Sequence, residues 1–85
     1  MLLDVTHVTV QPDFTLVLEF ENRERRSFNM AAYMDQKPWA RLKSGNAFHG
    51  AFVENGTVAW PGTIDIDPET LYDLSVPLND PNPAA

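Results

Sequence analysis

The sequence predicts an α+β domain made of a three-stranded antiparallel sheet, short helices, a second β-hairpin and a short C-terminal helical turn. Apolar residues recur at every second position of residues 14–20, and an Asn-Gly pair separates two short apolar runs at 55–56. Asp67-Pro68-Glu69 has the form of a helix start. Because 85 residues make one small domain, we assign it to residues 1–78 and expect residues 79–85 to form a disordered tail.

The strand at residues 14–20 fixes the register of the predicted sheet. Its inward face holds Phe14, Leu16, Leu18 and Phe20. If Leu16 lies opposite Phe28, the apolar residues of both strands share one face, because opposed residues of an antiparallel pair point the same way. That register leaves a three-residue loop at 21–23, in which Arg23 takes the left-handed backbone conformation.

The same register sets the neighbouring contacts. Glu19 lies opposite Arg25, which predicts a cross-strand ion pair on the outer face. On the preceding strand we expect Val10 to face Leu16, so that the inward residues there are Thr6, Val8 and Val10. The apolar face of these three strands then needs a cover.

Residues 31–51 supply that cover. They are rich in alanine, methionine, leucine and aromatic residues without strict alternation, which favours two short helices or 3₁₀ turns over one long helix. Pro38 suits the start of the first, over 39–43. Asn46 suits the cap of the second, on which Phe48 and Phe52 stand four residues apart.

The second hairpin is the clearest local signal in the chain. Asn55-Gly56 is the pair that a two-residue type I′ turn prefers. This turn pairs residue 53 with 58 and residue 51 with 60, so the inward residues are Ala51, Val53, Val58 and Trp60. A short extended segment at 64–67 follows, then the C-terminal turn, packed by Leu71, Tyr72 and Leu74, and a final extended contact at 76–78.

The composition of the chain limits the classes of function that are possible. Twelve acidic residues against six basic ones give a net charge of −6, which argues against a nucleic-acid partner. The absence of cysteine excludes a disulfide scaffold, a thiolate nucleophile and a cysteine zinc site. No stretch is apolar enough for a membrane helix, and the N-terminus lacks the basic region of a signal peptide, so we expect a cytoplasmic protein with no membrane partner.

The segment from Trp60 to Tyr72, with its Trp-Pro, Asp and Pro-Glu-x-Leu-Tyr spacing, resembles the bacterial family called domain of unknown function 2442. The resemblance covers about residues 3–78 and includes Asp4-Val5, the alternation at 16–20 and 26–30, and Ala51-Phe52-Val53. Arg23 departs from the pattern, since such proteins usually carry glycine there. The resemblance implies an α+β domain with antiparallel strands and short helices, and it brings no established activity.

The resemblance also implies two kinds of biological setting. Some relatives carry an added helix-turn-helix DNA-binding domain, which we do not expect within these 85 residues. Other relatives appear beside a second small uncharacterised protein, in an arrangement that looks like a toxin–antitoxin pair. The second setting describes a protein that acts together with another one.

Two groups of residues invite a chemical interpretation. Asp65, Asp67 and Glu69 form the densest acidic cluster, which is either a site for a divalent cation or a helix cap with carboxylates near the positive helix end. No calcium-binding loop pattern accompanies them. His7 and His49 are candidate bases or ligands, but alternation and position favour partly exposed structural roles. Because no catalytic arrangement appears, we predict neither an enzyme nor a cofactor.

The sequence therefore favours a non-catalytic protein–protein interaction module or regulatory accessory module, for instance an antitoxin-like partner of a small neighbouring protein. Its partner is another protein or a second copy bound through an exposed strand edge. The candidate surface residues are Trp39, Trp60, Asp65, Asp67, Glu69 and Tyr72. The alternative function is a small-ligand or divalent-metal domain that uses Asp65, Asp67 and Glu69.

Overall fold

Seven strands and one α-helix make up the part of the chain, residues 3–44 and 46–78, that the computed structural model describes. The strands are β1 (Val5–Val10), β2 (Thr15–Phe20), β3 (Arg25–Asn29), β4 (Phe52–Glu54), β5 (Thr57–Trp60), β6 (Ile64–Ile66) and β7 (Val76–Pro77). They form two antiparallel sheets with the orders β1-β2-β3-β7 and β4-β5-β6. The helix α1 (Pro68–Leu74) leads from the second sheet to β7. The predicted tail, residues 79–85, lies outside the described residues.

The α+β prediction is confirmed in outline and corrected in detail. The antiparallel strands, the hairpin and the C-terminal helical segment are present, but each predicted β unit has one more strand. β7 joins the first sheet through the pairs Arg26–Pro77 and Ser27–Val76. β6 joins the second sheet opposite β5. The pairing of the two-residue strand β7 depends on contacts between residues distant in sequence. β6 follows β5 after the turn at 61–63, and the sequence predicts it only as an extended segment.

The predicted register of the first sheet is confirmed. Leu16 lies opposite both Val10 and Phe28, so the apolar residues of three strands share the inner face. Arg23 has a φ of 72°, and its backbone N–H donates to the carbonyl of Phe20 over 2.8 Å. Glu19 does lie opposite Arg25. The predicted ion pair is not seen between them, and in the described structure Glu19 Oε1 instead lies 4.0 Å from His7 Nδ1.

A β-bulge in β1 overturns one part of the predicted alternation. The register with β2 shifts between Val5 and His7, which leaves Thr6 as the extra residue. Val5 is therefore buried and Thr6 is exposed, so the prediction that Thr6 shares a face with Val8 is wrong. The sequence gives no warning here, because valine and threonine both favour strands on either face.

The cover over the first sheet consists of 3₁₀ turns, at Ala31–Tyr33, Trp39–Lys43 and Ala47–Gly50. The predicted Asn46 cap lies in place, but its side chain makes no capping hydrogen bond. Phe48 is buried, whereas Phe52 is 41% exposed. The expected helical pair of phenylalanines does not form, because the chain turns into β4 after Gly50.

The second hairpin follows its prediction closely. Val53 lies opposite Val58, and the turn residues Asn55 and Gly56 have φ values of 53° and 77°. The inner faces of the sheets and the 3₁₀ turns enclose one core, whose largest fully buried side chains are Trp60, Phe20, Phe28, Leu16, Leu18, Met30 and Leu71. No helix in the described ranges is long and apolar enough to cross a membrane.

Candidate functional site: an apolar groove beside Trp39

A surface groove of about 620 Å³ lies where the second sheet, the second 3₁₀ turn and α1 meet. We call it the Trp39 groove. Its lining residues are Tyr33, Pro38, Trp39, Asp65, Ile66, Asp67, Thr70 and Leu74. Three of the six predicted surface residues, Trp39, Asp65 and Asp67, therefore come together there.

Two contacts fix the orientation of Trp39. Its indole N–H donates a hydrogen bond of 3.2 Å to the backbone carbonyl of Asp65, on β6. Its ring packs against Tyr33 at 81°, with 5.6 Å between the ring centroids. The indole is half-buried, and because its only donor is already occupied, it offers the groove apolar ring surface and not a hydrogen bond.

The β6 strand explains where the first carboxylate points. Ile64 and Ile66 are buried, so Asp65 between them must lie on the opposite, exposed face. In the described part of the chain, the Asp65 carboxylate makes no side-chain hydrogen bond or ion pair. Asp65 is among the residues that line the groove, and its exposed carboxylate has no internal partner within the described residues.

The second carboxylate, that of Asp67, has a structural role in the fold. Asp67 is the N-cap of α1, and its Oδ2 accepts hydrogen bonds from the backbone N–H and the hydroxyl of Thr70, over 3.1 and 3.4 Å. Pro68 occupies the first turn, as the sequence predicts. One Asp67 oxygen remains for a ligand, so the helix cap and a binding role are compatible.

Leu74 is the groove residue that the sequence placed wrongly. We expected it to pack the C-terminal turn against the core, but 60% of its surface is exposed. The buried contact of α1 is made by Leu71, three residues earlier. A helix of two turns has one narrow buried face, and Leu74 lies outside it. Its side chain instead leaves a large apolar surface open at the groove.

The acidic cluster does not converge on one point. Glu69 is exposed on α1 and does not line the Trp39 groove. Across the described residues, no three histidine or carboxylate side chains lie close enough together to hold a metal ion. The alternative prediction of a divalent-metal site receives no support from this geometry.

The chain matches a protein family over residues 5–77, a range that contains every strand and α1. The family is described as "Protein of unknown function (DUF2442)". The chain belongs to this family. Comparison with curated proteins and with solved structures gives no match.

In this DUF2442 protein, Trp60 belongs to the core and not to the surface. It is 1% exposed, and its indole N–H donates a 2.9 Å hydrogen bond to the carbonyl of Phe48. Its ring also lies 5.9 Å from that of Phe48. The prediction of Trp60 as a surface residue is thus wrong, although the hairpin register already placed it beside Val58 on the inward face.

Tyr72 belongs to a polar network elsewhere on the DUF2442 domain. Its hydroxyl donates a 2.7 Å hydrogen bond to Glu24 Oε1, and the Arg26 guanidinium lies over its ring. The hydrogen bond from Tyr72, followed by those from Asn22 and Arg26, holds the pKa of Glu24 below its usual value. The same bond raises the pKa of Tyr72. This network closes the fold and does not line the groove.

The two histidines are exposed and lie on different elements. His7 is on β1, where its Nδ1 is 3.3 Å from Thr6 Oγ1 and 4.0 Å from Glu19 Oε1. His49 is on the third 3₁₀ turn, with its ring against that of Phe48. Neither histidine lines the Trp39 groove.

Proposed function

We propose that this DUF2442 domain is a non-catalytic interaction module that binds another protein through the Trp39 groove. The observation that carries the proposal is the exposed Leu74 side chain, held beside an oriented indole and two carboxylates. Tryptophan with adjoining apolar surface and a polar rim is typical of the centres of protein interfaces. A regulatory accessory role with a small protein from a neighbouring gene is the setting we propose.

The groove is suited to binding because its central group is already ordered. The hydrogen bond to Asp65 and the packing against Tyr33 hold Trp39 in place before any partner arrives. A preordered side chain loses less conformational entropy on binding, which favours affinity. Burial of Leu74 would add a hydrophobic contribution proportional to the apolar area removed from water.

Site-specific photo-crosslinking in the source organism tests the proposal. A photoreactive amino acid replaces Leu74, and in a matched chain it replaces Phe52, which is a large exposed apolar residue outside the groove. We expect one protein to be crosslinked from position 74 and not from position 52. Equal labelling from both positions contradicts the proposal.

Affinity measurements complete the test. They use the partner protein that the crosslinking identifies, purified in its free form. Leu74→Ser removes apolar surface at the groove, and Val76→Ser removes it from β7, where Val76 is also exposed. We expect Leu74→Ser to weaken binding roughly tenfold or more and Val76→Ser to leave it within about twofold. An unchanged affinity for Leu74→Ser rejects the groove as the binding surface.

A further inference from the structure

We infer that the segment entering the Trp39 groove is a cationic, amphipathic stretch of the partner protein. One apolar side chain lies against Trp39 and Leu74, and a neighbouring lysine or arginine lies beside Asp65 and Asp67. This inference rests on the proposed function and adds the chemistry of the partner to it.

The apolar requirement comes from the lining of the groove. The apolar lining combines the buried Ile66, the half-buried Trp39 and the exposed Leu74. Among the described residues, the two aspartates are the charged groups in the lining of the groove. The hydrated groups of a wholly polar segment would leave the apolar surface of the groove in contact with water. An apolar side chain of the partner removes that surface from water.

The cationic requirement comes from the carboxylates. Asp65 has no internal partner in the described structure, and Asp67 keeps one oxygen free of its capping bonds. A lysine or arginine can bind between them, with the arginine fork able to engage both. The net charge of −6 extends the same preference beyond the groove, because it attracts a basic partner and repels an acidic one during encounter.

The aromatic walls strengthen the preference for a cation. Trp39 lines the groove with a half-buried indole, and indole rings attract cations. Tyr33 lies at right angles to it and adds a second ring to the lining. A cationic side chain can therefore contact both a carboxylate and a π surface in one position.

A second copy of the chain is a less suitable occupant. Two copies carry the same net charge of −6 and repel each other. The exposed bases Arg23 and Arg25 lie next to Glu21 and Glu24 in sequence. The other exposed bases, Lys37, Arg41 and Lys43, lie in and beside the second 3₁₀ turn, which itself forms one side of the groove. Self-association through the groove would overturn the inference.

An amide NMR titration of the full chain tests the inference. The probe is a synthetic amphipathic peptide of leucine and lysine, compared with one in which glutamate replaces every lysine and one in which serine replaces every leucine. We expect the leucine–lysine peptide to shift the Thr70 amide and the Trp39 indole N–H, and the two substituted peptides to bind at least fivefold more weakly. Shifts confined to other surfaces overturn the inference.

Charge variants separate the local carboxylates from the overall charge. The double variant Asp65→Asn/Asp67→Asn removes two charges at the groove and keeps a good capping residue at position 67. The control Asp13→Asn/Glu54→Gln removes two exposed charges outside the groove. We expect the first pair to weaken peptide binding about fivefold and the control to weaken it less than twofold.

Other results would also reject the inference. Equal weakening by both double variants, or no binding of the leucine–lysine peptide at about 1 mM, overturns the cationic preference. Dimerisation of the chain that Leu74→Ser abolishes assigns the groove to a second copy instead. A protein crosslinked at position 74 that lacks a cationic segment leaves the proposed function intact while rejecting this inference.

Discussion

The guanidinium carbon of Arg26 lies 4.3 Å from the centre of the Tyr72 ring. This contact joins β3 to the end of α1. Arg26 also donates to the hydroxyl and the carbonyl of Ser75, over 2.6 and 2.9 Å, and to Glu24 over 2.5 Å. Its side chain is 11% exposed, and this inward-facing arginine on the apolar side of the sheet donates to the nearby Glu24 and to Ser75 at the end of α1.

Arg26→Ala should lower the free energy of unfolding by about 2–3 kcal/mol, because it removes a partly buried charge-assisted network and leaves Glu24 without its ionic partner. Arg25→Ala removes a neighbouring exposed arginine and should change stability by less than about 0.5 kcal/mol. Urea denaturation of both variants measures the difference. Equal effects would show that the network does not stabilise the fold.

The Glu24–Tyr72 hydrogen bond should limit stability at both ends of the pH scale. The pKa of Glu24 is lowered in the folded state, chiefly by this bond, so its contribution is present above the unfolded value of 4.5 and is lost as the pH falls through the folded pKa. The pKa of Tyr72 is raised, so its contribution is present below 10.0 and is lost as the pH rises through the folded pKa.

Denaturation as a function of pH tests this coupling. Glu24→Gln should flatten the acid side of the stability profile, and Tyr72→Phe should flatten the alkaline side. Glu69→Gln is the matched control, since Glu69 is exposed and belongs to no such network. An acid side that is unchanged in Glu24→Gln contradicts the assigned role of the carboxylate.

Gly56→Ala should destabilise the second hairpin for two reasons. The φ of 77° at Gly56 favours glycine, and an ideal Cβ there would lie 2.5 Å from Asp4 Oδ1. We expect a loss of about 1–2 kcal/mol. Adding Asp4→Ala should recover the part of the stability loss that comes from the clash with Asp4. It should leave the part that comes from the positive φ at position 56.

Gly50→Ala is the control variant. The nearest atom there is 3.4 Å from the new Cβ, so this substitution should cost less than about 0.5 kcal/mol. Thermal denaturation of the three variants gives these differences, and equal losses at the two glycines would contradict the assigned role of Gly56.

Divalent cations should leave the melting temperature unchanged, because Glu69 does not join Asp65 and Asp67 at one point. Melts with Ca²⁺, Mg²⁺ and Mn²⁺ against a chelator control measure this. An ion that binds should stabilise by about 2.7 kcal/mol at a hundredfold excess over its dissociation constant. A clear rise with any one ion that Asp65→Asn abolishes would revive the metal-binding alternative.

Local signals explain which parts of the fold could be predicted. Asn55-Gly56 determines its hairpin because the required positive φ values select these residue types. The three-residue loop ending at Arg23 follows from the parity of the alternation on both sides. The pairing of β7 with β3 could not be predicted in this way, since it depends on Arg26 meeting Ser75, which is 49 residues away in sequence.

The candidate site shows the same division. Asp65 and Asp67 could be placed on one surface because β6 and the helix cap are adjacent in sequence. Their meeting with Trp39 depends on a long-range hydrogen bond that leaves no mark in the sequence. The predictions of Tyr72 and Trp60 as surface residues rest on their residue type. In the structure Trp60 is buried in the core, and Tyr72 is bound to Glu24 away from the groove.

Acrylamide quenching of tryptophan fluorescence tests the central claim, that the Trp39 groove is open in the free chain and closed by the partner. The free chain should show one quenchable tryptophan and one shielded, and Trp39→Phe should abolish the quenchable component, since Trp60 is buried. Adding the protein crosslinked at position 74 should shield the quenchable component. Two shielded tryptophans in the free chain, or quenching that the bound partner leaves unchanged, would contradict the account.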